Sequence, residues 1–180
     1  MLTAQPTLEV LSSVALVATA AAATLHDVRT RRIPNWVAVG GVAAALALRG
    51  AMGQGELLAG LLGAALGLGA GLLLFILRVF GGGDGKLLMA VGAFLGPRPF
   101  LSALFVIALV GGVLGLFEAA RRGVLAAVLR RTGRRLLAVI SPGRAGFEPV
   151  AATPEGITVP YGLAIGAGAL ITWFLGVSLP

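Results

Sequence analysis

Long apolar runs alternate with short polar or basic connections along this 180-residue chain. A helix needs about 20 apolar residues to cross the ~30 Å hydrocarbon core of a bilayer, and somewhat shorter runs can still belong to such a bundle. The runs cover residues 8–25, 36–48, 57–77, 86–95, 100–117 and 157–177. This pattern predicts an all-α, polytopic membrane helix bundle of about six transmembrane helices.

The third run carries glycines four residues apart, at Gly63, Gly67 and Gly71. Small residues at this spacing lie on one helix face and let a second helix backbone approach closely within a membrane. We therefore expect residues 57–77 to pack in the bundle interior. The alternative is that these glycines are merely tolerated in a membrane helix.

Composition supports the membrane interpretation and excludes several other classes. Hydrophobic residues make up 58% of the chain and charged residues 12%, roughly half the charged share of a soluble domain. The net charge of +7 comes with only 6% aromatics, and the arginines lie between apolar runs, so we expect no nucleic-acid partner. With no cysteine and one histidine, disulfides and a Cys/His zinc site are excluded.

The distribution of basic residues predicts the topology. If residues 86–95 and 100–117 cross separately, 12 of the 14 basic residues lie on one side, with only Arg49 and Arg98 on the other. Merging the two runs would instead move seven arginines outside. By the positive-inside rule the basic side is cytoplasmic, which favours six crossings.

The basic segment 118–156 interrupts this pattern. Between residues 118 and 140, apolar positions such as Val124, Val128 and Leu136 share one helical face, and arginines occupy the other. This favours an amphipathic helix at the cytoplasmic interface, in contact with anionic lipid, although Gly123 and Gly133 are equally consistent with a solvated loop. Residues 1–180 are predicted to form a single membrane-embedded domain.

Two aspartates mark the candidate chemistry. Asp27 ends the first apolar run and Asp84 lies between the third and fourth, both at the predicted cytoplasmic edge. Two carboxylates that share a site cannot easily both ionise, so one can activate water while the other polarises a carbonyl. Glycines around Asp84 would admit a substrate backbone and give the loop unusual dihedrals. The alternative for Asp27 is a solvated ion pair with neighbouring arginines.

Both aspartates lie in recognisable motifs. Gly81 to Asp84 fits the Gly-x-Gly-Asp signature of intramembrane aspartic peptidases, and the continuation through Lys86 resembles the form Gly-x-Gly-Asp-x-Lys of the type IV prepilin peptidase family. The segment from Asp27 to Asn35 resembles that family's first aspartate motif, in which an acid precedes a basic stretch ending in Ile-Pro-Asn. The two motifs occur in the family's order and on the same predicted side.

The resemblance covers about 160 residues and implies a specific activity. It implies that Asp27 and Asp84 are the catalytic pair of an aspartic endopeptidase, which needs no metal or other cofactor. It also implies that the enzyme cleaves the short basic leader of prepilins at the cytoplasmic face of the bacterial inner membrane. The residues that it suggests as substrate-binding or supporting are Gly81, Gly83, Lys86, Arg29, Pro34, Asn35 and Tyr161.

Several of these roles have alternatives. Arg29, like Arg31 and Arg32, either anchors the topology or helps to position substrate and tune Asp27. Lys86 is the only lysine, which slightly favours a specific role, whereas His26 is better explained as an interfacial polar residue.

The absence of cysteine and the early first span resemble the compact members that serve Flp or tight-adherence pili. For these members N-methyltransferase activity is not expected. An archaeal preflagellin-type peptidase of the same family is an alternative. A small ion-coupled transporter or channel is another, but it would need ionisable groups near mid-membrane, which these runs lack.

Overall fold

The computed structural model describes residues 4–77, 81–130 and 161–177, and these residues form helices joined by short connections. Seven helices are present within these ranges. They are α1 (Ala4–Thr30), α2 (Asn35–Met52), α3 (Gln54–Ile76), α4 (Gly82–Leu95), α5 (Pro97–Arg121), α6 (described over 125–130) and α7 (Tyr161–Leu175).

Four of these helices, α1, α2, α3 and α5, are long and apolar enough to cross a membrane. Helix α7 is a shorter apolar helix of 15 residues, and α4 has 14. The predicted all-helical membrane bundle is therefore confirmed. At 1.5 Å per residue α4 is about 21 Å long, clearly shorter than the hydrocarbon core.

The glycines of α3 pack directly against α4. A Cβ on Gly63 would collide with the carbonyl of Gly92, and one on Gly71 would come within 2.5 Å of the Gly85 Cα. The partner residues on α4 descend as those on α3 ascend, so the two helices are antiparallel. The glycine spacing thus allows the close backbone contact that it predicts. The expectation that residues 57–77 lie in the bundle interior is wrong, because only the small-residue face of α3 is buried and its leucines lie on the outside.

Helix α4 is the centre of the bundle. It contacts α1, α2, α3 and α7, and Leu87, Leu88 and Phe94 on it are almost completely buried. By contrast, leucines such as Leu66 and Leu72 on α3 are exposed on the outer surface, as expected for a lipid-facing helix. The residues around Asp84 therefore lie at the start of the most enclosed helix.

The connections between helices differ from the predictions in two places. The predicted loop at 49–56 is mostly helical, because α2 continues to Met52 and only Gly53, at φ 142°, separates it from α3. The predicted unusual dihedrals around Asp84 are also wrong. Gly82 onward already forms α4, and none of the glycines from 81 to 85 has a positive φ.

Helices α1 and α7 run antiparallel along one side of α4. Gly162 contacts Asp27 at one end of the pair, Gly166 lies against Ala20, and Trp173 Nε1 donates to Ser13 Oγ over 3.0 Å at the other end. The start of α7 is thereby fixed beside the last turn of α1.

The described residues divide into two compact units, one formed by 4–77, 81–111 and 161–177 and the other containing 112–130. The predicted single domain over 1–180 stays a prediction. In the second unit α5 ends at Arg121, because Gly123 adopts φ 71° and its N–H donates back to Ala120 O. The helix predicted across 118–140 is thus interrupted, and its part beyond residue 130, like the linker at 141–154, lies outside the described residues.

Candidate active site

Asp27 lies in the last turn of α1 and is buried, with 8% of its surface exposed. Its Oδ2 accepts a hydrogen bond of 2.8 Å from the backbone N–H of Gly162, at the start of α7. Helix α1 ends immediately afterwards, where Arg31 adopts a positive φ of 53° and Thr30 Oγ1 donates to His26 O. The predicted site residue is thus part of a helix and not of the connection that follows it.

Asp84 lies in the first turn of α4 and is similarly buried, at 9% exposed. Its Oδ2 accepts a hydrogen bond of 2.9 Å from the backbone N–H of Gly81, the residue that caps the helix. A carboxylate at this position satisfies a free N–H and interacts favourably with the helix dipole. Asp84 therefore uses one carboxylate oxygen to cap the start of α4.

The two aspartates interact electrostatically. Asp84 lies at the start of α4, outside the four long candidate spans, and its pKa is raised to about 6. Burial is the largest cause, and the negative charge of Asp27 adds to it, while the Gly81 hydrogen bond opposes both. The structure thus brings together the two acids that the sequence motifs predict, 57 positions apart.

Helix α7 contributes two adjacent residues to this cluster. A Cβ on Gly162 would lie 2.8 Å from both Cβ and Oδ2 of Asp27, so only glycine fits there without displacing the carboxylate. Tyr161, the first residue of α7, is half-buried and lies close enough to Asp84 to interact with its charge. At the start of α7, Gly162 therefore contacts Asp27 and Tyr161 interacts with the charge of Asp84.

The connection between α1 and α2 packs onto the start of α4. Ile33 is buried, and a Cβ on Gly83 would come within 3.2 Å of the Ile33 Cβ. Lys86 Nζ also donates a hydrogen bond of 2.7 Å to Asn35 Oδ1, although both side chains are exposed. These contacts join the Ile-Pro-Asn motif to the Gly-Asp-x-Lys motif.

The remaining predicted site residues lie around this cluster. Pro34 precedes α2 in an extended conformation, with φ −63° and ψ 143°, and its carbonyl accepts from Val37 N. Gly81 is exposed, as is Arg29, whose side chain has no partner within the described ranges. His26 packs its ring edge-on against Trp36 and bonds to Ala22 O, as an interfacial residue would.

Neither aspartate forms an ion pair with any residue that the structure describes. The alternative of a solvated Asp27–arginine pair is therefore not supported by the geometry. The same ranges contain no cluster of three or more acidic or histidine side chains that could hold a metal ion. Two buried carboxylates that interact electrostatically cannot both ionise easily, so one of them holds a proton more readily than an isolated aspartate does.

Sequence reasoning missed the part that Gly162 plays at Asp27. The family resemblance suggested Tyr161 as a supporting residue but not the glycine that follows it. The sequence feature that could have indicated this contact is a glycine directly after an aromatic residue at the start of a helix. Such a glycine can mark close approach to another backbone or side chain.

One comparison with known proteins gives a result. The sequence model described as the type IV leader peptidase family matches residues 14–116, more than half of the chain. The match includes both aspartates and both surrounding motifs. Searches of the curated proteins and of the solved structures find no significant match.

Proposed function

Because the chain belongs to the type IV leader peptidase family, we propose that it is a membrane aspartic endopeptidase that cleaves prepilins, with Asp27 and Asp84 as its catalytic pair. The observation that carries this proposal is the geometry of the two acids. They come from two separate motifs, lie buried at the same end of the bundle, and are each fixed by a backbone N–H.

The chemistry requires one ionised and one protonated carboxyl group. The ionised group takes a proton from a bound water, whose oxygen attacks the carbonyl carbon of the scissile peptide bond. The protonated group gives its proton to the carbonyl oxygen, which yields a tetrahedral gem-diol. Collapse of this intermediate breaks the C–N bond, and the amine leaves with a proton from the pair.

The environment of the pair supports this division of roles. The raised pKa of Asp84 favours the shared proton on its carboxyl group. The Gly162 N–H points at Asp27, where it stabilises negative charge. Because the two groups interact, they titrate as a unit, and the proton can move between them during the reaction.

The substrate would reach the pair from the exposed side of the α4 start. Gly81 and Gly82 are exposed there, which leaves room for an extended leader backbone beside Asp84. Lys86 and Asn35 hold the neighbouring connection in place through their hydrogen bond. Arg29 is exposed and unpaired within the described ranges, so it is available either to anchor the topology or to contact substrate.

The proposed location follows from charge. At the Asp27–Asp84 end the described residues include exposed Arg29, Arg32 and Lys86, whereas the opposite end of the first unit has Arg49 and Arg98. The positive-inside rule then orients the pair towards the cytoplasm of a bacterial inner membrane, where prepilin leaders arrive. A short basic leader of a type IV or Flp-type prepilin is the proposed substrate, and N-methylation of the product is not part of the proposal.

Cleavage of a candidate Flp-type prepilin by membranes that contain the wild-type or a variant protein tests the proposal. Asp27→Asn and Asp84→Asn should each lower the cleavage rate by about a thousandfold or more. Glu9→Gln, which removes an exposed carboxylate at the other end of α1, should cleave normally. A folded, inserted Asp27→Asn or Asp84→Asn variant that retains near-normal cleavage would contradict the assignment of these residues as the catalytic pair.

A further inference from the structure

A cavity of about 510 Å³ lies at the end of the bundle opposite the two aspartates. We call it the outer recess. Its lining residues are Arg49, Glu56, Ala59, Leu95, Gly96, Pro97, Arg98 and Pro99. They come from the end of α2, the start of α3 and the α4–α5 turn.

The outer recess exists because α4 is short. A Cβ on Gly60 of α3 would contact Ala93 O, and a Cβ on Gly96 would approach Ala59 O, so α4 ends beside residues 59–60 of α3. Helix α3 begins at Gln54, about five residues or 8 Å further out. The hairpin formed by α2 and α3 therefore extends beyond the α4–α5 turn and forms a wall around the hollow.

The two arginines of the outer recess differ in how many of their donors are already hydrogen-bonded within the protein. Arg49 Nε and Nη2 donate to Phe94 O over 3.2 and 2.7 Å, and Nη1 pairs with Glu56, so its donors are largely used within the protein. Arg98 is exposed and has no hydrogen bond or ion pair to any described residue. With two arginines and one glutamate, the lining carries a net charge of +1.

Arg98 is also held in a stiff stretch of backbone. It lies between Pro97 and Pro99 in the first turn of α5, and the proline rings fix φ on both sides of it. A stiff backbone leaves only the side-chain torsions of Arg98 to be ordered when it binds a ligand.

We propose that the outer recess binds the phosphate group of an anionic phospholipid, with Arg98 as its principal contact. Because the helices span a membrane, the end of the bundle lies at the depth of the lipid headgroups. A phosphodiester carries one negative charge, which matches the net charge of the lining.

Because α4 is short, a bound headgroup would fill the gap at its end. The end of α4 lies deeper than the ends of the neighbouring helices, and such a mismatch is met by local thinning of the bilayer or by flanking side chains that reach towards the surface. A headgroup seated in the outer recess covers the α4–α5 turn and neutralises Arg98. The site is independent of the proposed peptidase function, because it involves neither aspartate.

Native mass spectrometry of the full-length protein tests the proposal. After delipidation in a neutral detergent, the protein is offered equal concentrations of phosphatidylglycerol or phosphatidylcholine with identical acyl chains. We expect the phosphatidylglycerol to bind about fivefold more tightly, since one arginine near an anionic headgroup contributes about this factor. Arg98→Gln should abolish the preference, Arg98→Lys should retain most of it, and Arg121→Gln, an exposed arginine elsewhere, should not change it.

A second arm separates the lipid from free phosphate. Inorganic phosphate at millimolar concentration should not displace phosphatidylglycerol, because it lacks the glycerol and acyl contacts. Complete displacement by inorganic phosphate would assign the outer recess to the free ion and overturn the lipid as occupant. Unchanged phosphatidylglycerol binding by Arg98→Gln, or equal binding of both lipids by the wild type, would overturn the site altogether.

Discussion

The two ends of the first unit both contain buried charge, but they neutralise it differently. At the outer end the side chain of Arg49 is only 13% exposed, and it is bonded to Phe94 O and Glu56. At the opposite end Asp27 and Asp84 are buried more deeply, yet each accepts one backbone hydrogen bond and neither forms an ion pair with a described residue.

This contrast separates a charge whose partners lie within the protein from a pair of acids that suits the proposed chemistry. A buried ion that stabilises a fold needs its hydrogen bonds and its counter-charge satisfied within the protein. A pair of carboxylates without a cation is poorly suited to that purpose, because each raises the cost of ionising the other. Such perturbed acids concentrate at functional sites. We therefore expect substitution of Arg49 to affect mainly stability, and substitution of Asp27 or Asp84 to affect mainly activity.

The largest expected effect is on stability, at the outer end. Arg49→Met leaves Phe94 O without its two hydrogen bonds from a charged donor and should lower the free energy of unfolding by about 3 kcal/mol. Loss of the contact with Glu56 adds little, because the Glu56 side chain is 54% exposed. Asp84→Asn should change it by less than about 1 kcal/mol, since the side chain keeps its size and loses a charge that burial disfavours. Unfolding in mixed detergent micelles measures both, and equal losses in the two variants would remove the distinction.

The next effect is on activity, at the start of α7. Gly162→Ala introduces a methyl group 2.8 Å from the Asp27 carboxylate, which must move. Displacement of a catalytic group by about 1 Å costs on the order of a hundredfold in rate, and we expect a loss of roughly that size. The assay is kcat for prepilin cleavage in proteoliposomes.

Gly69→Ala provides the matched control for this substitution. It also adds a methyl group to a helical glycine, but nothing lies within 4 Å of the new Cβ. It should cleave at the wild-type rate. If Gly162→Ala were as active as Gly69→Ala, the start of α7 would have no part in positioning Asp27.

A smaller effect is expected at the contact between the two motifs. Lys86→Met removes the hydrogen bond to Asn35 and should lower kcat by about three- to tenfold, with KM little changed, because one exposed hydrogen bond to a charged group is modest. Asn35→Ala should cost the same, and the double variant no more than either. Lys86→Arg should restore part of the rate, whereas additive losses would mean that the residues act separately.

Much of the fold could be predicted from the sequence because bilayer-spanning helices have a strong hydropathy signal. The alternation of runs predicted the helical bundle, and the spacing of Gly63, Gly67 and Gly71 predicted the contact with a neighbouring helix. The helix ends were less predictable. Gly82 and Gly83 resemble loop residues by propensity, but packing against Ile33 and α3 holds them in the first turn of α4.

The candidate site was predictable only in part. The motifs identified Asp27 and Asp84, and charge asymmetry predicted that they lie on the same side. Nothing in the spacing indicated that Gly162 would bond to Asp27, because this contact joins residues 135 positions apart and depends on how α7 packs against α1. The Lys86–Asn35 bond has the same origin in tertiary packing.

Whether the two aspartates act as one coupled pair can be measured without any substrate. A hydrophobic carbodiimide reacts with protonated, enclosed carboxyl groups, so mass spectrometry of labelled Asp84 as a function of pH reports its protonation. Because its pKa is raised to about 6, labelling should be high below this pH and fall as the pH rises through it.

Asp27→Asn removes the neighbouring negative charge and should move this midpoint to lower pH, while burial keeps it above the ordinary value of an aspartate. Glu9→Gln, which removes a distant exposed carboxylate, should leave the midpoint at about 6. A midpoint that stays the same in Asp27→Asn, or that lies near 4 in the wild type as for an ordinary aspartate, would contradict a coupled catalytic pair.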